Sequence, residues 1–359
     1  MASQRQPIFD VLKGIAIFMV VMGHVLAICV RGIDRATLFK LLGEVHMPLF
    51  FFISGYFCFK RLPDGAVAVP DYGKRVLQLI VPMVVVSTAW IYYFPVSGLE
   101  SPFISDWGGL WGDASKNGYW FTPVLFVLML IYCLSIPVLH RVRGAAWQAL
   151  FVLAVWAAML VGYEFVSAQV SSALSLIFIV RFFPVFMFGA IARDHKEAFA
   201  RFYHSSWAMT IGLPLGVLIL SYVGWFWRYP FMPSWSLEPC RSLLHLCIVA
   251  VGFSAVRGWA PEGAATRLWS YLGRKSLAIY LLHYFLLFPM GFCRGWLESM
   301  DLANLPLAVF SAAVAACVIA GVLVICALID RSPLLSLLLT GTLINTNKTP
   351  EAPATGLSR

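Results

Sequence analysis

Long apolar runs separated by short polar stretches make up the chain from the first dozen residues almost to Ile344. A helix needs about 20 mostly apolar residues to cross the hydrocarbon core of a bilayer. Runs of about that length recur throughout, and no polar stretch between them is long enough for a separate soluble domain. The pattern predicts an all-α, polytopic integral membrane protein with about ten transmembrane helices.

The predicted spans cover approximately residues 9–30, 45–59, 76–95, 120–139, 146–162, 172–192, 208–225, 242–256, 270–292 and 305–329. The second is short and contains Pro48, so we expect it to be tilted or broken there. We assign residues 1–344 to one transmembrane domain. The polar segment 345–359 is expected to be disordered.

Cations concentrate in every second connection, which indicates the cytoplasmic side. These connections contain Lys60, Arg61, Lys74, Arg75, Arg141, Arg143, Arg193, Lys196, Arg201, Arg257, Arg267, Arg274 and Lys275. The alternate connections are poorer in cations and carry Glu100, Asp106, Asp113, Glu164, Glu298 and Asp301, against Lys116 and Arg294. Both termini are therefore predicted to be cytoplasmic. The first connection, with Arg31, Arg35 and Lys40, fits this topology least well.

The composition supports a membrane protein and argues against two other classes. Hydrophobic residues form 60% of the chain, charged residues only 12%, and the mean hydropathy is +0.82. The formal net charge of +9 comes from clusters between apolar runs, which indicate topology and not a nucleic-acid partner. The eight cysteines show neither CxxC nor Cys/His metal spacing, so we predict no disulfide framework and no metal.

The first predicted span carries Asp10, Lys13 and His24 in or beside its apolar run. Lys13 and His24 are eleven residues apart and fall near one helix face, separated by about 16 Å of helix rise. Polar groups inside a bilayer are costly and usually mark a site. The structural alternative is that Lys13 reaches the interface, Asp10 caps the helix and His24 bonds a neighbour.

The second predicted span begins with His46 and also carries Ser54. In the predicted topology His46 lies toward the outer side, as His24 does, so the two imidazoles are expected to share a cavity. Imidazole suits proton transfer because both of its forms are accessible near neutral pH. A position among lipid headgroups remains the alternative for His46.

Arg181 lies near the middle of the sixth predicted span. A guanidinium at that depth costs about 2.5–3.5 kcal/mol on insertion scales and needs a polar or anionic partner. A substrate phosphate or carbonyl is the preferred partner, and Glu164 is the nearest carboxylate in sequence.

Two further groups of residues have both a functional and a structural interpretation. In the ninth predicted span, Ser276, Tyr280 and His283 share one helix face. Arg274 and Lys275 before them suit phosphates, or equally a positive-inside anchor. Tyr119 and Trp120, with Phe121, are most simply an aromatic belt at the outer interface, with stacking on a sugar ring as the alternative. The sequence does not decide between the functional and the structural interpretation for either group.

These segments, in this order, resemble the acyltransferase 3 family of membrane-bound bacterial acyltransferases. The matching features are Lys13 with His24, the stretch 46–57, Trp120 with Phe121, the stretch 181–189 and Ser276 to His283. Many members have arginine where this chain has Lys13, and lysine cannot form the same bidentate fork. The resemblance covers nearly the whole chain.

The resemblance implies an acyl-coenzyme A donor, with acetyl-CoA as the expected co-substrate, on the cytoplasmic side of the bacterial inner membrane. The implied acceptor is a hydroxyl of a cell-envelope glycan, a lipid-linked sugar or a small molecule. Contact with membrane lipid is expected, and a homo-oligomer is left open. The residues assigned to catalysis are His24, His46 and His283; to the donor or oxyanion, Lys13, Arg181, Asp10 and Arg274; and to the acceptor, Trp120, Tyr119, Tyr280 and Ser54.

Our mechanistic hypothesis is that His24 deprotonates the acceptor hydroxyl or briefly carries the acyl group itself. His46 or His283 would assist proton transfer, while Lys13 and Arg181 would hold phosphates or an oxyanion. The competing hypothesis is a transporter of sugars or small acids, in which the same residues line a binding and proton path.

Overall fold

A computed structural model of the chain describes residues 7–29, 37–93, 96, 106–228, 234–288, 290 and 305–342. Helices dominate these ranges, which contain no extended strand, only an isolated bridge between Arg61 and Val67. Nine helices in this part of the chain are long and apolar enough to cross a membrane. The predicted all-α, polytopic membrane fold is confirmed.

The helices are numbered α1 to α15 along the chain. Their bounds are α1 Pro7–Cys29, α2 Thr37–Cys58, α3 Tyr72–Tyr93, α4 Trp107–Gly112, α5 Phe121–Arg141, α6 Ala145–Tyr163, α7 Ala168–Ala173, α8 Leu176–Asp194, α9 Lys196–His204, α10 Gly212–Arg228, α11 Ser234–Val256, α12 Ala264–Arg274, α13 Ser276–Leu282, α14 Leu305–Ile329 and α15 Pro333–Thr340. A turn of 3-10 helix, His283–Leu286, extends α13.

The second span differs from its prediction because α2 is a continuous helix of 22 residues that begins at Thr37. Pro48 lies inside it and is buried. Proline is tolerated in membrane helices because neighbouring elements satisfy the backbone group that it frees. The expectation of a short span broken at Pro48 was wrong, whereas the alternative of a tilted span stays a prediction.

The ninth predicted span is also not one helix. The chain turns at Lys275, which separates the amphipathic α12 from the short apolar α13. Lys275 Nζ lies 2.6 Å from Asp330 Oδ2 and ties this turn to the end of α14. The prediction of one continuous span over residues 270–292 was therefore wrong. The number of apolar residues in this segment is high enough for a span, but it does not show that the helix is interrupted at Lys275.

Several predicted features lie outside the described residues and have no structural counterpart here. These are Arg31, Arg35, Glu100, Arg294, Glu298, Asp301 and the segment 345–359.

Two glycines allow the core helices α2 and α8 to touch through their backbones. A Cβ on Gly55 of α2 would lie 1.8 Å from the Phe186 carbonyl oxygen, and one on Gly189 of α8 would lie 2.1 Å from the Phe52 carbonyl oxygen. Helices in membranes use small residues in this way because close packing contributes to their association. The α2–α8 contact fixes the helix that carries His46.

We expect Gly189→Ala to destabilise the protein by about 1–3 kcal/mol, because the added methyl group meets backbone atoms that cannot rotate away. Thermal unfolding of the purified protein in detergent measures this as a lower midpoint. Gly162→Ala is the matched control, since nothing lies within 4 Å of its Cβ position. Equal midpoints for the two variants would contradict the close contact.

Candidate functional site

A cavity of about 320 Å³ lies among α1, α2, α3, α5, α13 and the loop before α5. Most of its wall is apolar. Its polar or aromatic lining residues include Lys13, His24, His46, Ser54, Arg75, Trp120, Ser276 and Tyr280. Six of the eleven residues selected from the sequence therefore face one space, although they come from three helices and the loop before α5.

The cavity has a cationic end and an imidazole end. Lys13 and Arg75 lie near the starts of α1 and α3, and Ser276 begins α13. His24 lies about 16 Å of helix rise beyond Lys13. His46 lies in the first half of α2, which runs in from the opposite side of the predicted bilayer. A long substrate could therefore contact cations at one end and imidazoles at the other.

His24 belongs to a chain of short hydrogen bonds. His283 Nδ1 lies 2.9 Å from the Ile279 carbonyl oxygen and must donate to it, because a carbonyl only accepts. His283 Nε2, when the ring is neutral, then accepts from His24 Nδ1 at 2.9 Å. His24 Nε2 in turn accepts from the Tyr284 hydroxyl, also at 2.9 Å. The hydrogen-bond network thereby assigns one tautomer to each imidazole.

His283 contacts His24 but does not line the cavity. Its ring is fully buried and lies against that of His24, with 5.0 Å between their centroids. Its position suits an orienting residue, which fixes the ring that faces the cavity.

His46 presents an imidazole that is not held in this chain. It lines the same cavity as His24. Within the described part of the protein, its buried Nδ1 has no hydrogen-bond partner. The Nδ1 atom is itself enclosed, so it is the place of the ring in the cavity wall that puts His46 within reach of a bound substrate.

At the cationic end, Asp10 forms an ion pair with Lys13. The Lys13 ammonium lies 2.7 Å from Asp10 Oδ1 one turn earlier, and Asp10 itself does not line the cavity. The sequence analysis used Arg75 only to predict the cytoplasmic side. In the structure Arg75 lines the cavity, and its Nη1 donates to Gln78 Oε1 at 3.3 Å. Arg274 is exposed over the ring of Tyr271 and lies outside the cavity lining.

The aromatic residues before α5 form a wall and not an interfacial belt. Trp120 lines the cavity and stacks on Phe178, with 4.1 Å between ring centroids. Tyr119 is fully buried and donates to the Leu281 carbonyl at 3.1 Å. The Tyr280 hydroxyl donates to the Gly118 carbonyl at 2.9 Å. The belt interpretation was wrong, and Tyr119 does not face the cavity that would receive an acceptor.

An unusual backbone positions this wall. Lys116, Asn117 and Gly118 have φ values of 49°, 52° and 93°, a left-handed sequence that only glycine adopts without strain. The Lys116 ammonium is buried and donates to the carbonyls of Trp111, Asp113 and Ala173. Burial lowers the pKa of Lys116, and the nearby Asp113 opposes that change. The lysine therefore holds the loop in its strained form.

Arg181 does not contact the cavity. Its guanidinium makes a bidentate contact with Glu238 of α11, with Nη2 2.8 Å from Oε1 and Nε 3.0 Å from Oε2. A protein carboxylate was the alternative to a substrate partner, and the carboxylate in bidentate contact is Glu238 and not Glu164, the nearest in sequence. The preferred contact with a substrate stays a prediction. Glu238 is only 1% exposed, so Arg181 has a buried counter-charge within the protein.

Glu238 also joins a larger buried network that sequence reasoning missed. Arg241 Nη1 donates to Glu238 at 2.9 Å, and its Nε donates to Glu44 at 3.2 Å. His245 lies 3.2 Å from the second oxygen of Glu44 and stacks on Phe182. One face of α11 carries Glu238, Arg241 and His245 at helical spacing. The sequence analysis missed this polar face because the predicted eighth span began only at Ser242.

A family match covers most of the chain. The Acyl_transf_3 family, described as an acyltransferase domain, matches residues 7–330. The chain belongs to this acyltransferase family. The matched region contains every residue that lines the cavity, from Lys13 to Tyr280.

Two relatives of this acyltransferase are similar over part of their length. Nodulation protein NolL of Sinorhizobium fredii is 32% identical over 143 residues, which cover 36% of this chain and 36% of that protein. Nodulation protein NolL of Mesorhizobium japonicum is 31% identical over 145 residues, which cover 36% of this chain and 35% of that protein. The chain thus covers little more than a third of either relative's length. No solved structure matches it.

Proposed function

We propose that this multi-pass acyltransferase moves an acyl group, and specifically acetyl, from a coenzyme A thioester to a hydroxyl of an envelope glycan, lipid-linked sugar or small molecule. The bacterial inner membrane is its proposed location. The observation that carries the proposal is the single cavity in which His24 and His46 lie at one end and Lys13 and Arg75 at the other. An elongated donor with phosphates at one end and a thioester at the other matches that separation.

In the proposed reaction, His24 is the group that accepts the hydroxyl proton. The acceptor oxygen attacks the thioester carbonyl carbon as its proton moves toward His24, the carbon–sulfur bond breaks, and the proton passes to the sulfur. The products are the ester and free coenzyme A. His283 stabilises the charged form of His24, because His24 Nδ1 remains hydrogen-bonded to it throughout.

His46 is proposed to bind the thioester oxygen or the acceptor hydroxyl. Its place in the wall of the cavity that His24 also lines supports this role. A thioester is already activated, so the proposed step requires no metal.

The donor's phosphates are proposed to bind Lys13 and Arg75. Arg75 can make two parallel hydrogen bonds to a phosphate, whereas Lys13 provides a point charge positioned by Asp10. Ser276 lines the same cavity and offers a hydroxyl there.

The acceptor is proposed to bind against the aromatic wall. Trp120 lines the cavity with its ring supported by Phe178 and Phe182. Ser54 and Tyr280 line the same space, although the Tyr280 hydroxyl already donates to the Gly118 carbonyl. A sugar ring stacked on Trp120 would present its hydroxyls toward the imidazole end.

The decisive experiment measures coenzyme A release by the purified protein in liposomes supplied with acetyl-CoA and an envelope glycan extract. Mass spectrometry of the coenzyme A product is suitable, because eight cysteines would interfere with a thiol reagent. We expect release that depends on the extract, and a glycan heavier by one acetyl group. Uptake of solute without acetyl-CoA and without coenzyme A release would instead support the transporter hypothesis.

Arg75→Gln is expected to raise KM for acetyl-CoA about tenfold, equivalent to about 1.4 kcal/mol for one lost phosphate contact, with kcat nearly unchanged. Steady-state kinetics at saturating acceptor measures both constants. Lys74→Gln is the matched control: it removes the same charge from the adjacent, exposed position, which does not line the cavity. Equal changes in KM for both variants would show a general charge effect and contradict a specific contact.

A further inference from the structure

Tyr284 is a buried tyrosine whose hydroxyl contacts His24 directly. It follows His283 in the chain and is only 1% exposed. Its oxygen lies 2.9 Å from His24 Nε2, and its ring packs against those of His283, Trp90 and Tyr119. The aromatic contacts fix the ring, so the hydroxyl is held at the one His24 nitrogen that does not face His283.

Gly118 leaves room for this hydroxyl directly behind the cavity wall. Gly118 lines the cavity, and a Cβ built on it would lie 1.6 Å from the Tyr284 oxygen. The tyrosine hydroxyl therefore occupies the place that a side chain would take at position 118. It is next to two cavity-lining residues, His24 and Gly118, although Tyr284 itself is buried and is not part of the lining.

The assigned tautomers show why this placement affects proton transfer. His24 Nδ1 donates to His283, so the basic lone pair of His24 is on Nε2. That lone pair already accepts from the Tyr284 hydroxyl. An incoming hydroxyl cannot use the same lone pair while this hydrogen bond exists, because an imidazole nitrogen has one in-plane lone pair.

We propose that the Tyr284 hydroxyl relays the proton between the acceptor hydroxyl and His24. The proposal rests on the function proposed above. In the forward step the acceptor O–H bond breaks and its proton passes to the Tyr284 oxygen, while the proton of Tyr284 passes to His24 Nε2. The acceptor oxygen forms its bond to the acyl carbon, and the carbon–sulfur bond breaks. The proton then returns from His24 through Tyr284 to the thiolate, which leaves as coenzyme A.

Tyrosine suits this position because its hydroxyl donates and accepts hydrogen bonds. It donates to neutral His24, and after proton transfer it accepts from His24 Nε2–H. Both protonation states of His24 therefore keep a partner on each nitrogen, which matters in an interior where an unpaired donor is costly. A phenylalanine at 284 would preserve the ring packing and leave His24 Nε2 without this partner.

Tyr284→Phe tests the relay in the purified, full-length protein. We expect kcat with acetyl-CoA and the envelope glycan extract to fall about 10²-fold or more, as for loss of a proton-transfer group, while KM for acetyl-CoA changes less than about twofold. Tyr93→Phe is the matched control. Its hydroxyl donates to the Phe285 carbonyl at 3.2 Å and its ring belongs to the same aromatic group, but it makes no contact with His24.

A second nucleophile separates proton relay from a structural role. Hydroxylamine attacks thioesters as a neutral amine and does not need prior deprotonation, so we expect Tyr284→Phe to reduce acetyl transfer to hydroxylamine by less than about fivefold. A similar loss with both acceptors, or kcat equal to that of Tyr93→Phe, would overturn the relay. Either result leaves the proposed function intact, because that function fails separately if the wild-type protein releases no coenzyme A with any acceptor.

Discussion

Replacing His24 by alanine is expected to lower kcat about 10³-fold or more with acetyl-CoA and a hydroxyl acceptor. His24 is the cavity-lining residue at the centre of the hydrogen-bond chain, so its loss breaks the hydrogen-bonded link between His283 and Tyr284 and removes the proposed proton acceptor. No other described imidazole can replace it in that chain, since His46 comes from a different helix and is not part of it. Single-turnover coenzyme A release measures the chemical step directly.

His140→Ala is the matched control for the His24 variant. His140 is exposed near the end of α5 and does not line the cavity. We expect its kcat to remain within about twofold of the wild type, and both variants to elute as folded protein in size-exclusion chromatography. Turnover by folded His24→Ala close to that of His140→Ala would exclude His24 as the proton acceptor. Acyl transfer by another residue of the cavity would then have to be considered.

The sequence allowed prediction of those site residues that share one helix. Lys13 and His24 are related by helical spacing, and their polarity within an apolar run indicates an internal polar site. Their joint lining of one cavity with His46 follows from two helices that cross the bilayer beside each other. Helix type and approximate ends were also predictable, because membrane spans depend on length and apolar content.

Contacts between distant segments were not predictable in the same way. Arg181 and Glu238 are 57 positions apart, and no local spacing indicates that α8 and α11 face each other. A hydropathy criterion also places span boundaries at charges, and so it excluded Glu44 and Arg241 from the second and eighth spans. The sequence analysis therefore missed Glu238 as the carboxylate partner of Arg181.

The conformation of the loop before α5 is a second feature that could not be predicted from the sequence. Its three left-handed residues and the buried ammonium of Lys116 depend on carbonyls supplied by two separate segments. Sequence alone suggested an interfacial belt from Tyr119 and Trp120, because aromatic residues beside a span are common there. Only the folded loop places Gly118 against Tyr284, and this contact supports the proton-relay proposal.

The buried charge network leads to the largest expected effect on stability. Glu238→Ala removes the carboxylate that contacts both Arg181 and Arg241, so Arg181 keeps a positive charge in the bilayer interior without that counter-charge. Breaking a buried ion pair by removing one partner costs about 3–5 kcal/mol. We therefore expect a sharply lower unfolding midpoint in detergent and less folded protein in the membrane. Glu197→Ala, at an exposed position on α9, should change the midpoint little.

A double variant distinguishes unpaired charge from lost packing. Arg181→Met combined with Glu238→Met removes one charge of each sign, fills similar volume and leaves Arg241 with Glu44 as its counter-charge. Because desolvation of two charges offsets much of their attraction, replacing a buried pair by apolar residues is often nearly neutral. The double variant should therefore be more stable than Glu238→Met alone, with a favourable coupling of about 1–3 kcal/mol. A double variant no more stable than that single variant would mean that packing around Phe178 and Phe182, and not the charge on Arg181, determines the effect.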